Sequence, residues 1–218
     1  LIMERLPATM RLAIASLIVG LLISIPLGII ASVNAGTKLD FAAMSFAVSG
    51  VAVPTFWLGP LLILLFSVEL GWLPVSEMGS WKSYILPSLT MGTPLAAALS
   101  RITRNSMLDT LKEDFVRTAR AKGCSETRVI LSHTFRNASL PLVTVVGLQF
   151  GVLMTGAIIT EKVFDWPGLG SLLIEGINTR DYPVVQGCVL FFSGSYLLVN
   201  LLTDIAYSLV DPRIRLST

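Results

Sequence analysis

The sequence predicts an all-α polytopic membrane protein, and three observations carry that reading. First, 53% of the 218 residues are hydrophobic and only 14% charged, with a mean hydropathy of +0.75. A soluble domain carries roughly 25% charge, so too little polar surface remains here to coat a globule. Second, five stretches contain no charged residue: 12–33, 41–68, 83–100, 137–160 and 182–203, each 18 residues or longer. About 20 helical residues cross a hydrocarbon core of roughly 30 Å. One such stretch would suit a buried core helix; five in one chain argue for membrane spans. Third, the cations are shared unevenly between the segments joining these stretches. Alternate assignment puts eleven Lys/Arg on one side and five on the other.

Each stretch is expected to be a helix, because in lipid the backbone groups must be satisfied within their own segment. The first, 12–33, follows Glu4 and Arg5 and is too long for the core of a signal peptide. Because the chain begins at Leu1, it is expected to be a fragment of a longer parent. Pro26, Pro54, Pro60 and Pro94 fall inside the first three stretches, where a membrane bundle tolerates them as kinks. The fourth stretch contains "GLQFG" at 147–151, followed by Gly156, small residues that permit close helix contact. Thr144, Gln149 and Asn200 are polar residues that could face a wet channel. Trp72, Trp81 and Trp166 lie near span ends, where interfacial anchoring and ordinary packing are both open readings.

The positive-inside rule places the basic stretch 114–141 and the C-terminal tail in the cytoplasm. It places "ELGWLPVSEMGSW" and "EKVFDWPGLGSLLIEGINTRDYP" outside. The cytoplasmic segment 101–136 is too patterned for a simple turn. Glu113 to Lys122 reads as a short helix with Phe115, Val116 and Ala119 on one face. Gly123 stands where a C-cap adopts positive φ. Ser125 is a candidate N-cap for a second helix with Glu126 in its first turn, running through "TRVILSHTFRNA" into the span after Pro141. Three roles fit such an element: an anchor for anionic lipid, a DNA-reading helix–turn–helix, or a docking element for a cytoplasmic protein. Asp109, Glu113, Asp114 and Glu126 reduce the net charge of 101–136 to +4 and the helices are tied to a bilayer, which argues against nucleic acid. For docking, Ala119, Ala121 and Gly123 would let a partner approach closely while Arg117 and Arg120 supply orientation.

"EDFVRTARAKGCSETRVILSHTFRNASLPLVTVVGLQFG" resembles the cytoplasmic loop of the permease subunits of dipeptide, oligopeptide and nickel ABC importers. The resemblance continues through "EKVFDWPGLGSLLIEGINTRDYPVVQG" to "VNLLTDIAYSLVDPRIR". At the front, "ERLPATMRLAIASLIVGLLISIPLGIIAS" is similar to that family's second span. "FSVELGWLPVSEMGSWKSYILPSLTMG" looks most like the glutathione-type members. The broad importer motif has Glu-Ala-Ala, three residues, Gly, nine residues, then Ile-x-Leu-Pro. Here Arg117, Thr118 and Ala119 occupy the Glu-Ala-Ala positions, and Leu140-Pro141 comes five positions later than that spacing gives. The peptide-type branch shares this longer form.

The resemblance implies a type I ABC importer transmembrane domain over 1–218, with five spans here and six in the parent, the first span being absent. It implies that 108–136 is the coupling-helix region, seated on an ATP-binding subunit, with Glu113, Arg117, Ala119, Arg120, Ala121, Gly123, Ser125 and Glu126 at the contact. The implied partners are a second permease, two ATP-binding subunits, an extracytoplasmic solute-binding protein and membrane lipid. The implied place is the bacterial inner membrane. Segments 69–84 and 161–182 would meet the binding protein. The solute would be a dipeptide, a longer peptide, glutathione or a nickel chelate.

The residues themselves contain no G-x-x-x-x-G-K-[ST], so ATP and Mg are expected on partner chains and no cofactor on this one. His133 has no nucleophile or carboxylate beside it in sequence, and one His with Cys124 and Cys188 makes no metal site. The chain is expected not to be an enzyme. An ion-coupled carrier with a basic lipid-anchoring loop is the alternative; such carriers need acids deep in spans, and the nearest here is Asp204.

Overall fold

The computed structural model describes residues 1–75 and 80–210, with side chains for all of these except 156 and 206–210. Among the described residues every regular element is a helix. α1 (Ile2–Val33) is a single helix that continues through Pro7 and Pro26. α2 (Lys38–Ala52) and α3 (Thr55–Leu62) follow, and α3 runs into a π-helical segment, Ile63–Glu69. A 3₁₀ turn at Trp81–Tyr84 opens α4 (Ile85–Thr110). Then come α5 (Asp114–Ala121), α6 (Glu126–Arg128), a π-helical stretch Val129–Phe135 and α7 (Arg136–Ala138). These lead into α8 (Leu140–Val163), α9 (Leu169–Thr179) and α10 (Tyr182–Val210).

The five charge-free stretches are helical, but 41–68 is not one straight span. α2 meets the segment Thr55–Glu69 at 99°. The cause is Pro54, which has no N–H and holds Val53 extended at φ −93°, ψ 116°. By length and composition α1 and Tyr182–Ile205 qualify alone to cross a membrane. The α2 pair qualifies jointly with its bend, as does Glu126–Ala138 with Leu140–Thr155, bent by 54°. α4 is less apolar along its length, and its buried side includes Ser88, Thr90, Ser100 and Thr103. It packs on α1, α2, α3 and α8, and so faces protein where an outer span would face lipid. Its hydroxyls at Thr90, Ser100 and Thr103 donate to the carbonyls four residues earlier, so they need no outside partner.

The largest seam joins α1 and α4. Ser16, Gly20, Ser24, Gly28 and Ser32 recur every four residues of α1 and are all buried. A Cβ at Gly28 would overlap the Thr103 side chain, and one at Gly92 would stand 2.9 Å from the Ser16 carbonyl. The backbones approach this closely because the side chains are small, which replaces a hydrophobic driving force that lipid does not supply. The "GLQFG" glycines serve a second seam: Gly147 meets Thr203 and Gly151 meets Tyr196 of α10.

A polar lock closes each end of the bundle. At one end Arg104 of α4 donates from Nε and Nη2 to the two oxygens of Asp40 on α2, at 2.7 and 2.6 Å. The Gly36 amide adds a third bond at 2.9 Å. At the other end the Glu161 carboxylate is 0% exposed and makes no ion pair among the described residues. It accepts from Thr9 Oγ1 at 2.6 Å and from the Gly170 and Ser171 amides at 2.7 and 3.1 Å. Thr9 Oγ1 in turn accepts from the Leu169 amide at 2.8 Å. The free donors at the start of α9 are thus capped by side chains from α8 and α1. Gly168 has no side chain because a Cβ there would overlap the carboxylate.

Trp166 belongs to this second lock. It is 2% exposed, donates from Nε1 to the Ala8 carbonyl at 3.0 Å, and meets Tyr84 edge-on at 4.7 Å. Packing therefore accounts for Trp166, while Trp72 and Trp81 are exposed as interfacial anchors would be. Cys124 and Cys188 are both free thiols, one in the α5–α6 turn and one buried in α10.

Two expectations follow. Asp40→Asn should cost about 2 kcal/mol, the scale of hydrogen bonds to a charged group. Paired with Arg104→Gln it should show a coupling of about 1–2 kcal/mol in thermal unfolding in detergent. Glu161→Ala should cost about 3 kcal/mol or more, because it strands buried donors. Hydrogen exchange should then rise at α9 and the first turns of α1 but not at α5.

Candidate functional site

The segment between α4 and α8 folds into a small body of its own. α5 buries Val116 and Ala119 against Val129, with Leu111 and Cys124 partly covering them. Phe115, grouped with that face by its spacing, instead lies 42% exposed. At i−1 from Val116 it falls beside the buried stripe, leaving an aromatic ring on the outer surface. Ala119 is turned inward, so of the three small residues only Ala121 and Gly123 reach the surface.

α5 ends in a tight reversal. Gly123 has φ +78°. Its amide donates to the Arg120 carbonyl at 2.9 Å, and the Cys124 amide donates to Ala119 at 3.2 Å. Those two bonds form the Schellman pattern, with the apolar contact of Cys124 on the Val116–Ala119 patch completing it. Nothing lies within 4 Å of a Cβ built at Gly123, so the backbone angle alone selects glycine there.

Ser125 occupies the N-cap position of α6 with extended dihedrals, but its side chain makes no cap bond. Glu126 also departs from a simple dipole role. Its carboxylate receives Arg120 Nε at 2.8 Å and Nη2 at 3.2 Å, a fork that closes across the Gly123 turn. This pairing pushes the Arg120 guanidinium up from its ordinary value. Sequence spacing gave no warning of it, since six residues and a reversal separate the partners. Arg117 makes only an exposed contact to Asp114 at 3.3 Å, and Glu113 caps α5 by position without a side-chain bond.

The return path reaches α8 with a bend. The helix from Glu126 to Ala138 is joined to Leu140–Thr155 at 54°, where continuous passage into the span was expected. Ser106 Oγ of α4 donates to the Ala138 carbonyl at 2.7 Å, tying the body to α4 just before that bend. His133 is half-buried within the π-helical stretch.

The three polar residues expected to face a channel lie on two helices, Thr144 and Gln149 on α8 and Asn200 on α10. Thr144 lines a cleft of about 460 Å³ between α1, α8 and α10, walled by Leu17, Phe150, Val199 and Leu202. Its hydroxyl and the Asn200 amide oxygen are both buried without a hydrogen-bond partner among the described residues. Gln149 stands about 140° round the helix from Thr144. Of the two loop regions assigned to the outside, 161–182 is built on the Glu161 lock; 76–79 within the other lies outside the described residues. The C-terminal Arg213 and Arg215 also lie outside them.

Among the described residues no cluster of three or more His, Cys, Asp or Glu could hold a metal ion. Asp204 is exposed. Among the described residues the buried acids are Asp40, paired with Arg104, and Glu161, which caps α9.

Residues 24–216 match the family described as the binding-protein-dependent transport system inner membrane component. Over 214 residues the chain is 50% identical to the glutathione transport system permease protein GsiC of Escherichia coli K12, covering 98% of this chain and 70% of that protein. The GsiC proteins of Shigella dysenteriae serotype 1 and Salmonella choleraesuis match at the same identity and coverage. Among solved structures, an inward-facing MetNI methionine ABC transporter superposes with a TM-score of 0.78 at 17% identity, covering 97% of this chain and 96% of that one. An amino acid ABC transporter gives 0.69 at 15% identity, covering 98% and 94%. At those identities the likeness is one of fold.

Gly123→Val should loosen the α5–α6 turn by about 1–2 kcal/mol, the strain of a side chain at positive φ, whereas Gly123→Asn should cost much less. Local hydrogen exchange at Val116–Cys124 would report the difference while the spans keep their protection.

Proposed function

From the membership of this chain in the family of inner-membrane components of binding-protein-dependent transport systems, we propose how its parts carry out import. The chain is a multi-pass permease subunit of an ATP-driven importer for peptides or similar small solutes, and its family is not a catalytic one. The proposed solute is glutathione or a peptide of similar size, supported by the 50% identity to the GsiC proteins. ATP and Mg would be held by two separate ATP-binding subunits, with a second permease and an extracytoplasmic solute-binding protein completing the assembly.

Residues 108–136 are proposed as the coupling region within a single transmembrane domain over 1–218. The observation that carries this reading is the rigid α5–turn–α6 body. A lever must transmit displacement without bending, and three features stiffen this one: the Val116–Ala119–Val129 patch, the positive-φ turn and the Arg120–Glu126 fork. Its outer surface offers Phe115, Arg117 and Ala121 to a groove, with Glu113 and Ser125 at its edges. The Ser106–Ala138 bond and the run into α8 would pass the motion to two spans. Nucleotide-driven closure of the ATP-binding subunits would then rock the paired permeases between facing states. Thr144 and Asn200, with their unpartnered oxygens, are proposed to line the path, and Gln149 to face it from further round α8. The positive-inside bias supports a cytoplasmic Asp40 end, a cytoplasmic C-terminus and an external Glu161 end.

The test separates surface from clamp. Arg120→Glu breaks the fork, so the swap Arg120→Glu with Glu126→Arg should restore the turn while keeping the surface altered. Arg117→Glu alters the surface alone. Co-purification of ATP-binding subunits with the full-length permease should fall about tenfold for Arg117→Glu, and ATP-dependent uptake in proteoliposomes should fall with it. Normal recovery and uptake in that variant would remove the coupling role from this face. Uptake that needs no ATP would replace the importer with an ion-coupled carrier.

A further inference from the structure

The Glu161 end carries a second feature. A polar cleft of about 450 Å³ opens between the first turn of α1, the loop at Asp165–Pro167 and α9, a volume within the range of small-molecule sites. Arg5 and Lys162 line it, and so do Asp165 and Glu175. These two cations and two anions share one concavity, and among the described residues none of the four is in a salt bridge, although Arg5 also acts electrostatically on the buried Glu161 carboxylate.

The cleft is also built on rigid ground. Its floor is Trp166 and Ser171, both held by the Glu161 lock; the Ser171 hydroxyl donates to the Trp166 carbonyl at 2.7 Å. Ser171, Glu175 and Asn178 fall at i, i+4 and i+7, which aligns them on one face of α9. Asp165 has φ +49°, a left-handed conformation that aspartate tolerates better than most residues. The Trp166 amide holds this turn by donating to the Glu161 carbonyl at 2.7 Å.

We propose that this cleft binds a small zwitterionic solute of the amino-acid and peptide class, its carboxylate toward Arg5 and Lys162 and its ammonium toward Asp165 and Glu175. Charges of both signs around one concavity favour a ligand that carries both signs. An arginine fork suits the carboxylate geometry. The cleft would give an arriving peptide a place at the mouth of the transport path. This rests on the external placement and the peptide-importer reading given above.

The test uses the assembled importer with the full-length permease in lipid nanodiscs, without added solute-binding protein. Calorimetry should show saturable binding of glutathione. Binding should weaken about tenfold in Glu175→Gln and in Arg5→Gln. A tripeptide acetylated at one end and amidated at the other, and so lacking both terminal charges, should not bind. No saturable binding, or equal binding by wild type and both variants, would overturn the proposal. So would variants that bind glutathione normally but no longer respond to the solute-binding protein, because the cleft would then be a protein-docking face. ATP-dependent uptake by the wild-type assembly with its binding protein keeps the two readings apart. If uptake proceeds while the cleft binds nothing, only the cleft proposal falls; if no peptide is taken up, the importer reading falls.

Discussion

A single buried carboxylate organises one end of this protein. Glu161 sits at the last turns of α8 with no cation within salt-bridge distance among the described residues, only the more distant Arg5, and a charge so placed is costly unless hydrogen bonds surround it. They do: a hydroxyl from α1 and two amides from α9. The start of α9 supplies partial positive charge where an arginine would otherwise stand. Both sides gain, since α9 would begin with unpaired donors in a buried place without this acceptor. The consecutive helices α8 and α9 therefore meet the distant α1 in one arrangement, and the turn through Asp165 to Gly168 has little choice of path. Trp166, Tyr84 and the polar cleft are all positioned from this point.

The opposite end follows a different rule. Asp40 and Arg104 form an ordinary fork between α2 and α4, while the α5–α6 body hangs beyond it on the α4 and α8 termini. That body has few buried residues, so its rigidity comes from geometry: a Schellman turn and an ion pair across it. An exposed ion pair adds little stability by itself. Its value here is to limit how far the two helices can open about Gly123. A surface that must press on another protein needs that stiffness more than it needs a large core.

Between the ends, small residues do the work that bulky ones do in water. The four-residue repeat of Ser and Gly on α1 meets α4 so closely that hydroxyls must bond back to their own helix. α4 is polar because it is central; a helix wrapped by others has no lipid to satisfy. This inverts the usual reading of hydropathy and explains why α4 looks least like a span.

The sequence by itself determined the helical membrane class, the boundaries of most spans, the turn at Gly123 and the family, because these depend on composition, on local backbone preference and on contiguous motifs. Charge-free length reports burial in lipid without any knowledge of neighbours, and a glycine after a short amphipathic run reports positive φ. Only the tertiary structure decided the rest. Ser125 looked like a cap because of its position, but whether its hydroxyl bonds depends on a rotamer that spacing does not reveal. Phe115 fell one residue outside a stripe too short to resolve by period. The 99° bend needed Pro54 and also a bundle to fold α3 onto, seen where Gly59 meets Val163 and Phe164. Glu161 was one charged residue at a span end in the sequence; its partners Thr9 and Gly170 lie 152 and 9 positions away. Interactions of that kind are set by where helices pack, and packing is a property of the whole chain.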